Sequence, residues 1–199
     1  GLITSNAKIP AMFEYVIALV WCHIDDDPNH LISSARLSKD SDFLPISHAT
    51  GGLGNADFIA EYKDHLLQIE PTLTRGNMQK EAEHEPISRH FGHNLIKIKD
   101  SKKREKSYCI FIAPYLGSNM LVDIRNRQNS PWYDTNDEEI IGMNILPLDI
   151  DDCIKILSSK KDYNYLYSEF MKLINNNEDM YKNGKKWYEL KIKPTINNL

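Results

Sequence analysis

Three acidic residues, Asp57, Glu70 and Glu83, are candidates for metal-dependent chemistry because each follows the one before it by thirteen positions. Carboxylates are the side chains that hard divalent cations prefer, and they also act as general acids and bases. About one residue in seven of this chain is acidic, so such a spacing also arises by chance. It predicts a site only if the secondary structure brings the carboxylates together.

The residues around the first two acids predict a β-hairpin. Segments 56–62 and 65–73 both alternate apolar and polar residues, as half-buried strands do, and Lys63 and Asp64 separate them. Any turn of even length centred on Lys63 and Asp64 fixes one register, and in that register Asp57 lies opposite Glu70. The two side chains then share a face of the sheet, with their Cβ atoms about 5 Å apart.

Two ionised carboxylates at that distance repel each other by roughly 3 kcal/mol at an effective dielectric constant near 20. No Lys or Arg can offset this on the same face, because the residues two positions from Glu70 are Gln68 and Thr72. The pairing with Asp57 therefore predicts a divalent metal ion with oxygen ligands, and the backbone carbonyl of Pro71 is a candidate third ligand. Since proline has no N–H to donate, we expect a bulge or an edge position at Pro71.

The remaining pattern predicts an α/β fold. A continuous apolar run at 108–113 predicts a strand buried on both faces, and a further strand fits 142–148. Residues 31–55 give a weak pattern of loop and short extended pieces. Apolar spacing predicts helices over 11–24, 78–95 and 163–174. A fourth predicted helix begins after a cap at Asp149 or Asp151 and ends at 157.

The helix over 78–95 brings further polar residues towards the predicted site. Gln79 and Glu83 are one turn apart on one side of it and would add an amide and another carboxylate at the edge of the site. Pro86 should kink this helix or break it near its middle, because proline removes one backbone donor and clashes with the preceding turn.

Composition excludes several classes of protein. The chain is 41% hydrophobic and 26% charged, which is typical of a globular protein and not of a disordered or coiled-coil one. Its longest apolar run, 16–22, is too short to span a bilayer, and no secretory signal is recognisable, so we expect a cytoplasmic protein without a membrane partner. Three widely separated cysteines indicate buried thiols, and glycine-rich nucleotide loops and Ser/His/Asp elbows do not occur in the sequence.

The charge is unevenly distributed. The net charge of −4 gives no overall attraction to polyanions, but the ten residues from 97 to 106 hold six basic and two acidic side chains. Lys102, Lys103 and Arg104, at the centre of this basic segment, are candidates for contacting phosphate groups. A solvated loop between two elements explains the same pattern equally well.

Several short motifs occur together in this chain. They are the strand end Glu70-Pro71-Thr72-Leu73, the helix start Gly76-Asn77-Met78-Gln79 and the helix segment Glu85-Pro86-Ile87-Ser88-Arg89-His90. With two glycines before Asp57 and the strand over 110–114, the combination resembles the cleavage domain of the AlwI family of type IIS restriction endonucleases. That family includes related nicking endonucleases and their small cleaving subunits, and the resemblance covers about residues 9–157.

The resemblance implies a nuclease of the PD-(D/E)xK type, in which a mixed β-sheet is flanked by helices. It implies one catalytic domain, with its core at about 9–157 and a helical part at about 158–199, that binds Mg²⁺ (with Mn²⁺ as a substitute) and hydrolyses double-stranded DNA. Asp57 and Glu70 would be its two carboxylates, and both would bind the metal together with the Pro71 carbonyl. Where the superfamily usually has a catalytic lysine this chain has Thr72.

With that lysine absent, Gln79 and Glu83 are the expected catalytic replacements. Arg89 and His90 would contact DNA, as would the basic segment with Lys102, Lys103 and Arg104. The alternative for the helix pair is that Arg89 binds Glu85 and His90 is buried in the core. Because the net charge disfavours a chain that reads DNA by itself, we expect a larger DNA-recognition domain or subunit as partner.

Other functions remain open at this stage. The missing lysine and the proline at 71 are also compatible with a catalytically inactive nuclease fold that serves assembly or binding. A carboxylate-pair hydrolase such as a glycosidase is a third alternative. Glu14 either supports the site or is a solvated helix residue. Zinc binding by His84, His90 and His93 is disfavoured because no cysteine has matching spacing.

Overall fold

The computed structural model describes residues 9–25, 38–39, 45–47, 57–75 and 77–199, with the backbone alone at 38–39, 45–47 and 77–85. Its strands are β1 (Ser38–Lys39), β2 (Pro45–Ser47), β3 (Phe58–Glu61), β4 (Leu66–Pro71), β5 (Tyr108–Ala113), β6 (Trp132–Tyr133), β7 (Glu139–Ile140) and β8 (Ile145–Asp149). Its helices are α1 (Ile9–Ile24), α2 (Asn77–Lys97), α3 (Ser101–Lys106), α4 (Ser118–Arg127), α5 (Ile150–Ser159), α6 (Tyr163–Ile174), α7 (Gly184–Trp187) and α8 (Lys193–Asn197). A 3₁₀ turn, Asp179–Tyr181, precedes α7, and a π-helical turn, Tyr188–Ile192, joins α7 to α8.

A four-stranded mixed sheet in the order β3-β4-β5-β8 carries the fold. β3 and β4 form the predicted hairpin, while β4, β5 and β8 are parallel to one another. All six residues of β5 are buried, which confirms the strand predicted from its continuous apolar run. β4 is also buried along its whole length, although its alternating sequence predicts one solvated face, because it lies inside the sheet and both of its faces are covered.

The helices predicted from apolar spacing are confirmed. α1 buries Ile17, Trp21 and Ile24 on one side, at the spacing of an amphipathic helix. Asp149 caps α5 in a reciprocal capping box with Asp152. The structure adds helices α3 and α4 and the short β6–β7 pair, whose residues show no clear periodicity.

α2 runs without interruption through Pro86, so of the predicted kink or break the break does not occur. Proline in a helix removes only one backbone hydrogen bond, and the turns that follow Pro86 are anchored in the core. Ile87, Phe91 and Leu95 recur every four residues and are all at most 2% exposed. This row of buried residues holds α2 against the sheet, so the lost bond is tolerated.

The C-terminal helices share the core of the sheet. Leu166, Phe170, Trp187 and Ile192 belong to the same buried cluster as β4 and β5. Arg125 of α4 is buried and lies over the ring of Trp187 at 4.6 Å. Its guanidinium donates to the backbone carbonyls of residues 174, 176 and 181.

The described residues include all three cysteines and a helix, α2, that has the length needed to span a membrane. Cys22, Cys109 and Cys153 are free thiols, of which the last two are buried and the first is half-buried. Within the part of the chain that the structure describes, no helix combines the length and the apolar character needed to cross a membrane.

Candidate active site

The hairpin register brings the two predicted carboxylates together. β3 and β4 pair Phe58 with Ile69 and continue in register to Glu61 and Leu66. Asp57 directly precedes β3, and Glu70 directly follows Ile69, so the same register places the two acids opposite each other. Their side chains are joined by a hydrogen bond, which confirms the predicted contact.

A third carboxylate, Glu14 of α1, faces this pair. Glu14 and Glu70 are 8% and 7% exposed. Burial, and then the charges of Glu70 and Glu14, raise the pKa of Asp57 to about 9, while His90 acts in the opposite direction. In the absence of a cation Asp57 is therefore protonated at neutral pH, and a cation placed among these oxygens would favour its ionised form. Glu14 is part of the site and not a solvated helix residue.

Glu70 is held by two neighbours. Gln68 Nε2 donates to Glu70 Oε1 at 2.8 Å, and His90 Nδ1 lies 3.2 Å from the same oxygen. Gln68 precedes Glu70 by two residues on the same face of β4, whereas His90 reaches it from α2. The two contacts fix the direction in which the carboxylate points.

These side chains open into a cleft of about 780 Å³. Its walls come from the start of α1, from the hairpin, from the loop that follows β4 and from α2. Arg75, in that loop, is exposed and brings a positive charge to a cleft whose other charged walls include three carboxylates. The residues that line the cleft are Pro10, Phe13, Glu14, Asp57, Glu70, Pro71, Thr72, Leu73, Thr74, Arg75, Pro86 and His90.

The prediction of a bulge or an edge position at Pro71 is wrong for the side of β4 that pairs with β5. The β4–β5 ladder keeps one register up to the pair of Pro71 and Ile112, and β4 is an interior strand. The N–H of Thr72 donates to the Ile112 carbonyl at 2.8 Å. Because backbone groups alternate sides along a strand, the nitrogen and carbonyl of Pro71 face the β3 side, where described pairing ends at Ile69. Proline therefore removes no bond to β5, and its carbonyl is directed towards the side of Asp57.

Thr72 shapes the loop after β4. Its Oγ1 lies 3.0 Å from Thr74 Oγ1 and accepts a hydrogen bond from the Thr74 backbone at 3.1 Å. These contacts form a local turn of the kind that Ser and Thr favour. Position 72 thus has no lysine amine, and its threonine hydroxyl instead stabilises the turn that precedes Arg75.

Gln79 and Glu83 are on α2, but their side chains lie outside the described part of the structure, so their catalytic roles stay predictions. Their backbone positions are informative. Positions 79, 83, 86 and 90 follow one stripe of the helix at alternating spacings of four and three, and the last two, Pro86 and His90, line the cleft. The stripe therefore runs along the helix face that borders the site.

Of the residues predicted to contact DNA, the structure brings only His90 to the carboxylates. Arg89 is half-buried and is not among the residues that line the cleft. Its alternative pairing with Glu85 involves a side chain outside the described residues. Contact of Arg89 or His90 with DNA stays a prediction.

The basic segment lies at the other end of the sheet. It precedes β5, which runs parallel to β4, whereas Glu70 is near the carboxyl end of β4. Lys103 forms an ion pair with Glu61 at 2.9 Å, and Arg104 donates to the Ile98 carbonyl, with its shorter bond at 2.7 Å. Lys102 is exposed. Lys103 and Arg104 thus support the fold locally, and contact of this segment with DNA stays a prediction.

Zinc binding by histidines finds no support. His93 contacts the edge of the Trp132 ring at 5.4 Å, and the side chain of His84 is outside the described residues. Among the side chains that the structure describes, no three His, Cys, Asp or Glu residues are grouped so as to hold a metal by themselves. A metal between Asp57 and Glu70 would need further oxygens, such as the Pro71 carbonyl and water.

Sequence reasoning missed Arg75 and Asn94. Arg75 could have been found from the sequence, because it is a basic residue that follows closely after the strand with the candidate metal ligand Glu70. Asn94 donates to the Gln68 side chain at 2.8 Å from a position 26 residues away in sequence, and no sequence pattern indicates this contact.

The fold defined by this sheet and its helices is similar to that of a solved protein structure. The crystal structure of the small subunit of the heterodimeric restriction endonuclease R.BspD6I is similar, with a TM-score of 0.69 over 93% of this chain and 89% of that chain. The two sequences are 18% identical, so this similarity shows the fold alone. No curated protein matches the sequence closely enough to be counted as a relative.

Family membership follows from the sequence. The family model of the AlwI restriction endonuclease matches residues 1–156, more than three-quarters of the chain. The chain therefore belongs to the AlwI restriction endonuclease family, as the resemblance of its motifs predicts.

Proposed function

We propose that this protein is the magnesium-dependent cleavage subunit or domain of a type IIS restriction endonuclease and that it hydrolyses DNA phosphodiester bonds in the cytoplasm. The hydrogen-bonded pair of Asp57 and Glu70, at the ends of adjacent strands in an open cleft, is the observation that carries this proposal. The arrangement corresponds to the two acids of a PD-(D/E)xK core. Membership of the AlwI family supports the same reaction.

The residues present fit a hard divalent cation. Asp57, Glu70 and the Pro71 carbonyl would hold Mg²⁺, because they offer oxygen ligands on one side of the hairpin. Burial, and then the proximity of the like charges of Glu70 and Glu14, raise the pKa of Asp57, and a cation placed among these oxygens would favour its ionised form. The bound ion would supply a polarised phosphate and an acidified water.

Side chains of this protein would orient the metal ligand, bind the phosphate and hold the attacking water. His90 and Gln68 orient Glu70 through their contacts with its Oε1. Arg75, at the mouth of the cleft, would bind a DNA phosphate and supply part of the positive charge that the missing lysine provides in related nucleases. Glu83 would hold the attacking water or accept its proton.

DNA recognition is assigned to a partner. Three carboxylates line the cleft and the chain carries a net charge of −4, so its surface gives little general attraction to DNA. The structurally similar small subunit belongs to a heterodimeric restriction enzyme. We therefore assign sequence recognition to a larger subunit or domain and the cutting of one strand to this chain.

The test is cleavage of DNA by the chain together with its larger partner in the presence of Mg²⁺. Asp57→Ala and Glu70→Ala should abolish cutting of one strand. Glu61→Ala is the matched control, because Glu61 belongs to the same hairpin but points its exposed side chain to Lys103 at the other end. Cutting by Asp57→Ala at the rate of the control would contradict the proposal.

The second candidate function is an inactive nuclease fold that serves assembly. Thr72 favours it, because a threonine whose hydroxyl is engaged in a turn replaces the usual lysine. Calorimetry with Mn²⁺ separates the two functions. An active site should bind Mn²⁺ in a way that depends on Asp57, and an inactive one should not.

A further inference from the structure

A chain of side-chain hydrogen bonds runs from the end of α2 to Glu70. Lys97 Nζ donates to Asn94 Oδ1 at 3.4 Å, and Asn94 Nδ2 donates to Gln68 Oε1 at 2.8 Å. Gln68 Nε2 in turn donates to Glu70 Oε1 at 2.8 Å. Gln68 is fully buried and Asn94 is 8% exposed, so the two amides connect the exposed Lys97 to the cleft through the interior. We call Gln68 and Asn94 the amide relay.

The two ends of the relay dictate the orientation of both amides. The Lys97 ammonium can only donate, so Asn94 must turn its oxygen to Lys97 and its amino group to Gln68. Gln68 must then accept from Asn94 and donate to Glu70. An ionised carboxylate can only accept hydrogen bonds. Glu70 and Lys97 therefore require the same orientation of the two amides.

Stability alone does not require an amide at position 68. Gln68 lies in the interior strand β4, paired with Ile59 on one side and Cys109 on the other. Burying an amide there is unfavourable unless it is hydrogen-bonded, whereas an apolar residue would fill the same place at no such cost. The relay satisfies both polar ends of Gln68, and its amino group is directed at the carboxylate of the site.

We propose that Gln68 and Asn94 are positioning residues that fix the orientation of Glu70 for metal binding. This inference rests on the proposed function. Gln68 and His90 converge on Oε1 of Glu70, and this determines how its other oxygen faces the metal position. The relay acts on the metal only through Glu70, as partners that orient a metal ligand do.

Asn94→Asp tests the relay with almost no change of shape. An aspartate at position 94 can only accept, so Gln68 must reverse its amide to donate to it and then presents its carbonyl oxygen to Glu70. Calorimetric titration of the full chain with Mn²⁺ alone should show an affinity about 10-fold to 100-fold below that of the wild type. The melting temperature should stay close to the wild-type value, because Lys97 can pair with the new carboxylate.

Asn144→Asp is the matched control. The Asn144 amide donates to the carbonyls of Glu105 and Ser107, and neither residue lines the cleft. This variant should lose thermal stability and keep the wild-type affinity for Mn²⁺. If Asn94→Asp also keeps the wild-type affinity for Mn²⁺, as the control should, the relay is merely structural and the proposal is wrong.

A double variant, Gln68→Leu with Asn94→Leu, keeps the test decisive if the aspartate variant folds poorly. Replacing both partners of a hydrogen bond by apolar residues is close to neutral for stability. The double variant should fold and bind Mn²⁺ more weakly than the wild type. Wild-type affinity in a folded double variant overturns the relay alone, whereas a wild-type chain that binds no Mn²⁺ overturns the proposed function as well.

Discussion

Two polar clusters lie at opposite ends of the same hairpin, and they differ in whether their groups satisfy one another. At the turn end, His65 is 4% exposed and both its ring nitrogens have partners: Nδ1 lies 2.8 Å from Asp64, and Nε2 lies 2.7 Å from the Tyr163 hydroxyl. Its ring also stacks on Tyr62 and Tyr167. We call this set the turn cluster. At the open end, Asp57, Glu70 and Glu14 bring like charges together.

The pKa values express this difference. Burial lowers the pKa of His65, so the ring is neutral and complements its hydroxyl and carboxylate partners. Burial together with Glu70 and Glu14 raises the pKa of Asp57 to about 9, so the carboxylate cluster keeps a proton that a cation would displace. The turn cluster is complete without a ligand. Under the proposed function the carboxylate cluster binds a cation, and this contrast would separate a structural polar site from a functional one.

The largest expected effect is on catalysis at the open end. Asp57→Asn and Glu70→Gln keep the shape of each side chain and remove the charge that a metal needs. DNA cleavage with the larger partner and Mg²⁺ should fall by more than about 100-fold, a larger loss than for residues that only orient a metal ligand. Steady-state strand cutting measures the loss, and a loss below about 10-fold in both variants would contradict the assignment of catalysis to the carboxylate cluster, because residues that only orient a metal ligand already cost about 10-fold to 100-fold.

A substitution in the turn cluster should lower the stability of the protein and leave its catalytic rate unchanged. Tyr163→Phe removes the hydroxyl that meets both His65 and Tyr108 and leaves buried groups unpaired. The free energy of unfolding should fall by about 1–3 kcal/mol, as measured by urea denaturation. The rate of DNA cutting per folded molecule should remain that of the wild type. A drop in that rate with unchanged stability would reverse the assignment of the two clusters.

In the metal-free protein, the unfavourable environment of Asp57 should make thermal stability depend on pH. An acid whose folded-state pKa is raised destabilises the fold as pH rises above its unfolded value of 3.8, and this effect is complete near the folded pKa of about 9. Asp57→Asn should therefore melt at a higher temperature than the wild type, with a difference that grows between those pH values. Melting curves without metal measure the difference, and one that shrinks with rising pH would contradict the burial of like charges at Asp57.

A smaller effect is expected from Arg75→Ala. Loss of one phosphate contact should weaken DNA binding by the assembled enzyme about 10-fold, which is the lower end of the about 1.5–3 kcal/mol that a hydrogen bond to a charged group contributes, because Arg75 is exposed. The slope of log affinity against log salt should decrease by about 1. Binding titrations at several salt concentrations measure both, and Mn²⁺ affinity should not change. Lys102→Ala, at the far end of the sheet, is the comparison that tests the basic segment.

The sequence predicted the elements that depend on local periodicity. The hairpin register follows from strand alternation and a turn centred on Lys63 and Asp64, and it correctly pairs Asp57 with Glu70. The strand over 108–113 and the capped helix after Asp149 were equally accessible, because burial on both faces and capping leave local patterns.

What the sequence could not show depends on contacts between distant segments. Gln68 looked like a residue on a solvated strand face, and only the cover provided by α2 makes it a buried donor to Glu70. Pro86 looked like a helix breaker because the buried row after it becomes apparent only in the packed fold. Lys103 was a candidate for contacting phosphate, and its ion pair with Glu61, 42 residues away in sequence on β3, leaves no local pattern.

The central claim is that Asp57 and Glu70 share one divalent cation. A crystal of the protein soaked in Mn²⁺ tests it most directly, because the anomalous signal of manganese locates the ion. We expect an anomalous peak between these two carboxylates, on the side of the Pro71 carbonyl, and no such peak in Asp57→Asn. A wild-type crystal without a peak there, or with one that persists in Asp57→Asn, would contradict it.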